Sequence, residues 1–148
     1  PVFPKLPDSP AKLIQTLKAS GDGFTVLTLR MDYVKEADLP FLVGLLDSKE
    51  PCAHVVSAES SISVSGKSTV GHEAAYLIEG FWKRYYPTHL TSGQYKPDIE
   101  GTKRWFAMWS NLKKIAEQTG ADQPATKPAD KPPVKDQPST PTSKDGPR

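Results

Sequence analysis

The residues of this chain best suited to hold a metal or move a proton are its three histidines, its single cysteine and a glutamate that adjoins one of the histidines. His72 and Glu73 stand side by side where a stretch of helical periodicity begins. With His89 they supply two imidazoles and a carboxylate, the donors of a small metal centre or of a metal-dependent enzyme. His54, Glu59 and Glu79 enlarge the pool of donors. The spacing is not that of the zinc-peptidase helix His-Glu-x-x-His, because Tyr76 occupies the second histidine's position. An ordinary helix start accounts for the pair as well, since a carboxylate in a first turn suits the helix dipole. No complete catalytic set is present and no cofactor is called for. A metal-binding protein or enzyme using His72, Glu73 and His89 therefore stands as the alternative to a non-catalytic role.

Two other motifs carry less. Ser65-Gly66-Lys67-Ser68 ends like a phosphate-binding loop, but Ser61 stands where that motif needs glycine. A loop running into a helix cap explains it. Cys52 lies on an apolar stripe, where a cysteine acts as a small hydrophobe rather than a nucleophile.

The aromatic run Phe81-Trp82-Lys83-Arg84-Tyr85-Tyr86, followed by Tyr95-Lys96 and Arg104-Trp105-Phe106, suggests a recognition surface. On one helix, Phe81 and Tyr85 share the face of Ile78 and read as core. Trp82 and Tyr86 point about 100° away, the rotation per helical residue. Trp, Tyr and Arg dominate binding hot spots, so Trp82, Arg84, Tyr86 and Tyr95 are the expected contact surface for a protein partner. The alternative is that residues 87–97 and the last helix fold over them. The net charge of +2 lacks the basic excess that nucleic-acid binding relies on.

The elements that must position these residues read as helical. Asp8-Ser9-Pro10 is a cap followed by a first-turn proline, and Leu13, Ile14 and Leu17 then share a face. Residues 24–34 fit a strand through Leu27, Leu29, Met31 and Tyr33, and a helix through Phe24, Leu27, Met31 and Val34; helix is chosen because the neighbouring segments are helical. Asp38-Leu39-Pro40 opens a helix with Phe41, Leu42, Leu45 and Leu46 inward. Cys52, Val55, Val56 and Ile62 form a further stripe. Ser68 or Thr69 caps a helix whose face is Val70, Ala74, Leu77, Ile78 and Phe81. Asp98 caps the last helix, with Ile99, Trp105 or Phe106, Trp109, Leu112 and Ile115 inward and Gly120 as its stop.

A shift of 28 residues superimposes Leu13, Ile14 and Leu17 on Phe41, Leu42 and Leu45, and Phe24 and Leu27 on Cys52 and Val55. Self-similarity at a fixed period predicts stacked helical hairpins. The stretch Asp38-Leu39-Pro40-Phe41-Leu42-Val43-Gly44-Leu45-Leu46-Asp47 resembles the first helix and turn of a HEAT repeat, over about residues 10–63. That resemblance implies an α-solenoid with a protein-binding or scaffolding role. The expected fold is thus mainly α: stacked hairpins, HEAT-like or an irregular helical bundle, in a domain of residues 1–120.

Residues 121–148 hold seven prolines, no aromatic residue, and Val134 as the sole large aliphatic. Such a segment cannot bury enough apolar surface to offset its ordering entropy and reads as a disordered Pro/Lys-rich tail. No apolar run approaches the ~20 residues of a transmembrane helix. The proline-lysine tail, with a start lacking methionine, fits a chain whose leader was removed. The expected location is therefore outside the cytoplasm, secreted or in the periplasm or cell envelope.

Overall fold

A computed structural model describes residues 5–60, 66–86 and 91–122. The predicted tail over 123–148 lies outside the described residues. The chain divides into two units at Asn111 and Leu112.

The first unit is mainly helical, with a few short strands. Helix α1 (Pro10–Ala19) begins where expected: the Ser9 side chain accepts from the Lys12 amide at 3.3 Å, and Pro10 occupies the first turn. Pro10, Leu13, Ile14 and Leu17 are buried along one face. Helix α2 (Leu39–Gly44) is short, with Leu39 and Leu42 inward and Leu46 buried beyond its end. Phe41, expected inward, is exposed. The seam is set by Leu39, three residues before Leu42, while Phe41, two residues after Leu39, points about 200° away from it.

Residues 24–34 and 52–60 differ from the helical expectation, and Ile62 lies outside the described residues. Phe24–Val26 is strand β1, and His54–Val56 is strand β3, paired with it in parallel; Phe24 faces His54 and Val26 faces Val56. Pro51–Cys52 (β2) pairs antiparallel with Ser68–Thr69 (β4). All three residues of β3 are buried, so both strand faces are covered and no alternation of polarity marks it. The second half of each 28-residue unit holds a three-residue strand where helix was expected, and α2 lies in the crossover between these parallel strands.

Helix α3 (Val70–Lys83) is central. The Thr69 hydroxyl accepts from the His72 amide at 3.2 Å and fixes its first turn. The expected stripe Val70, Ala74, Leu77 and Ile78 is buried, together with Glu73, Ala75 and Tyr76. A helix buried on most sides belongs inside the core. Gly71 lets its first turn approach the end of α2, because a Cβ there would overlap the carbonyl oxygens of Leu46 and Ser48. The helix stops at Arg84, whose left-handed backbone (φ 61°) is held without glycine.

Helix α4 (Ile99–Asp122) starts at Asp98, whose Oδ1 accepts from the Gly101 amide at 2.9 Å. Within the first unit Trp105, Phe106 and Trp109 pack on the core. In the second unit the described residues are the remainder of α4. It runs past Gly120 to Asp122, and Leu112 and Ile115, expected inward, are exposed. No other element of that unit is described to cover them. Among the described residues no helix is long and apolar enough to cross a membrane.

Candidate metal centre

Three elements converge beneath the first turn of α3. Strand β3 brings His54, α3 brings His72 and Glu73, and the 3-10 turn Ser92–Gln94 brings Ser92. One donor atom from each of His54, His72 and Glu73 lies within 4.8 Å of the other two. Glu73 is fully buried, His54 is 8% exposed and His72 is half-buried.

The carboxylate of Glu73 is held on one side only. Its Oε1 accepts from the Ser68 hydroxyl at 2.6 Å and the Ser92 hydroxyl at 2.9 Å, and lies 3.3 Å from His54 Nδ1. Glu73 Oε2 has no hydrogen-bond partner, and the alignment at His54 Nδ1 makes no hydrogen bond either. The Ser92 hydroxyl is itself fixed, accepting from the Val55 amide at 2.9 Å. The Ser92 carbonyl faces His72 Nε2 at 2.8 Å. A carbonyl only accepts, so that nitrogen carries the proton and the neutral ring keeps its lone pair on Nδ1.

Aromatic rings wall the cluster. His72 meets the edge of His54 at 5.6 Å between centroids and the edge of Tyr95 at the same distance. Tyr95 donates to Glu79 Oε2, and Glu79 also pairs with Lys83. Burial, and then Glu79, push the Tyr95 hydroxyl up, so it stays a donor. Cys52 sits on the neighbouring strand pair. Burial first, then the Glu73 and Glu50 carboxylates, push its thiol up to about 12. A thiol held protonated is no nucleophile at neutral pH, in keeping with its reading as a small hydrophobe.

Of the sequence-predicted donors, His72 and Glu73 are brought together, while His89 lies outside the described residues. His54, from the wider pool of donors, stands beside them. The expected contact surface is divided. Trp82 is 40% exposed and Arg84 is exposed, but Tyr86 (5%) and Tyr95 (7%) are interior. Tyr86 lies against α3 at Gly80, where a Cβ would overlap its ring, and stacks on Tyr76 at 5.6 Å. Trp82 stacks on Trp105 at 5.6 Å, and Arg84 lies over the Phe81 ring at 5.5 Å.

Glu73 was the signal that could have found the site. It falls between Val70 and Leu77 on the apolar stripe of α3, and a carboxylate inside such a stripe must be paired or liganded once buried. Comparison of the chain with known protein families, curated proteins and solved structures finds no match.

Proposed function

We propose that this is a metal-binding protein whose centre is His54, His72 and Glu73, taking one divalent ion of the zinc class. The observation that carries the reading is the pair of buried polar atoms without hydrogen bonds, His54 Nδ1 and Glu73 Oε2. A buried polar group left unsatisfied costs about 1–3 kcal/mol, and more when charged. A cation shared by the imidazole and the carboxylate removes that cost. Two imidazoles favour zinc and its transition-metal neighbours over calcium or magnesium, which prefer oxygen ligands throughout. The outer partners suit the role as well: the hydroxyls of Ser68 and Ser92 hold one carboxylate oxygen, and the Ser92 carbonyl orients His72. Three protein ligands leave a coordination position open to water or substrate.

The test is calorimetric titration of the chelator-stripped full chain with zinc, cobalt and nickel. One ion should bind per chain and raise the Tm, with both effects lost in His72→Ala and in Glu73→Gln. Ser68→Ala should weaken binding by about 10–100-fold, the usual effect of removing an outer partner. Absence of binding by all three metals, or binding unchanged in His72→Ala, overturns the assignment; His54 and Glu73 would then be a closed internal ion pair.

A second reading is a helical scaffold that binds a protein partner. It draws support from the exposed indole of Trp82 beside Arg84, and from the amphipathic helices α1 and α2, which correspond to the first helices of the HEAT-like units. Its test is capture of a partner by the wild-type chain and by Trp82→Ala/Arg84→Ala. Equal capture by the two sinks that contact surface.

A further inference from the structure

A cavity of about 320 Å³ lies against β3 at Val55. Its floor is Leu27, Leu29 and Val55, and no residue of the candidate metal centre lines it. The stacked rings of Tyr76 and Tyr86 form a wall. That wall is fixed: Tyr86 donates its hydroxyl to the Arg30 carbonyl at 3.1 Å, which ties segment 27–31 to the end of α3. The exposed side chains of Met31 and Tyr85 form the rim.

The chemistry of the lining selects a ligand. None of the described lining residues is charged, so an ion entering this apolar space would lose its hydration without a counter-charge from them. Aromatic walls favour a flat ring laid against or edge-on to them. Tyr76, 2% exposed, is the most deeply buried of the three lining tyrosines whose phenol groups can meet a polar atom of a ligand. A phenol hydroxyl both donates and accepts, so it can bond a hydroxyl or a carbonyl of a ligand. The volume lies at the lower end of small-molecule sites.

We infer that this cavity is a binding site for a small neutral ring compound carrying a hydroxyl or carbonyl, whose polar group meets the Tyr76 hydroxyl while its ring packs against the tyrosine wall. The site is independent of the metal centre and stands or falls without it.

The test uses 2-naphthol as probe, with naphthalene and 2-naphthoate as comparators, on the full chain at neutral pH. 2-Naphthol should bind saturably and shift the NMR signals of Met31 and Leu27. Tyr76→Phe keeps the ring and removes the hydroxyl; it should weaken 2-naphthol about fivefold, the worth of one hydrogen bond of about 1 kcal/mol, and leave naphthalene unchanged. Ser57→Trp fills the cavity from a half-buried lining position and should abolish binding of both while the Tm stays near the wild-type value. The inference is overturned if 2-naphthol fails to bind up to its solubility, if 2-naphthoate binds equally well, or if neither substitution changes binding in a folded variant.

Discussion

The two ends of α3 make opposite use of residues that look functional. At the first turn, Glu73 and His72 join His54 and Ser92 in a cluster of polar groups drawn from three elements. At and just past the last turn, Phe81 to Tyr86 hold four aromatic residues in six, yet they split in space: Tyr86 goes inside and Trp82 stays at the surface. Contiguity in sequence overstates the aromatic patch, and separation in sequence hides the polar one. A chemically competent cluster needs long-range contacts, whereas a run of large rings needs only a helix end on which to divide between core and solvent.

The contrast within the aromatic end is the largest measurable effect. Tyr86→Ala should cost about 3–5 kcal/mol, as for other buried ring truncations. Trp82→Ala should cost less, about 1–2 kcal/mol, since the ring is already 40% exposed and loses its stacking on Trp105 and the Lys83 ammonium over its face. Equal losses in urea unfolding would break the division proposed between the two rings.

Next comes the polar end. Gly71→Ala forces a Cβ against the carbonyls of Leu46 and Ser48 and should destabilise by about 2–3 kcal/mol, a size expected for core overpacking. Because it displaces the turn that carries His72 and Glu73, it should also impair zinc binding; a variant that stays folded and binds zinc with wild-type affinity would separate α3 placement from the metal centre.

Alkaline pH links the two ends. Cys52 and Tyr86 hold their protons up to about 12, against ordinary values of 9.0 and 10.0, chiefly because burial penalises the anion. Above pH 9 the unfolded chain binds fewer protons than the native one, so stability falls as pH rises from 9 toward 12. Thermal unfolding across that window checks the sign, and flat stability would place both groups in water. The smallest effect is Arg84→Gly. Glycine relieves the left-handed backbone but removes the contact over Phe81, so the expected net is a gain of about 0.5 kcal/mol.

Helix starts were legible because their signals are local: Ser9-Pro10, Thr69 and Asp98 cap their helices as the side-chain chemistry dictates. The strands were not. Phe24-Thr25-Val26 and His54-Val55-Val56 are three residues each, too short for a period to assert itself, and their pairing spans α2. The helical stripe through Phe24, Leu27 and Met31 was a coincidence of spacing; Phe24 and Met31 are exposed while Leu27 is buried. The candidate site was legible in half. His72 and Glu73 announce themselves by adjacency, but His54 reaches them only through a strand that sequence periodicity could not reveal. The donor first grouped with them, His89, has no local feature to set it apart from His54.

The turn at residues 91–94 has a consequence for self-association. In the parallel pair, His54 and Val56 bond toward β1, through Gly23 and Leu27, which leaves the Val55 amide facing outward. That amide is taken by the Ser92 hydroxyl, and Val56 forms a bridge with Thr91. A short apolar strand edge that would otherwise template pairing with another molecule is thereby capped. The serine that steadies the Glu73 carboxylate is also the guard of that edge, so loss of its hydroxyl should show first as a protein more prone to aggregate.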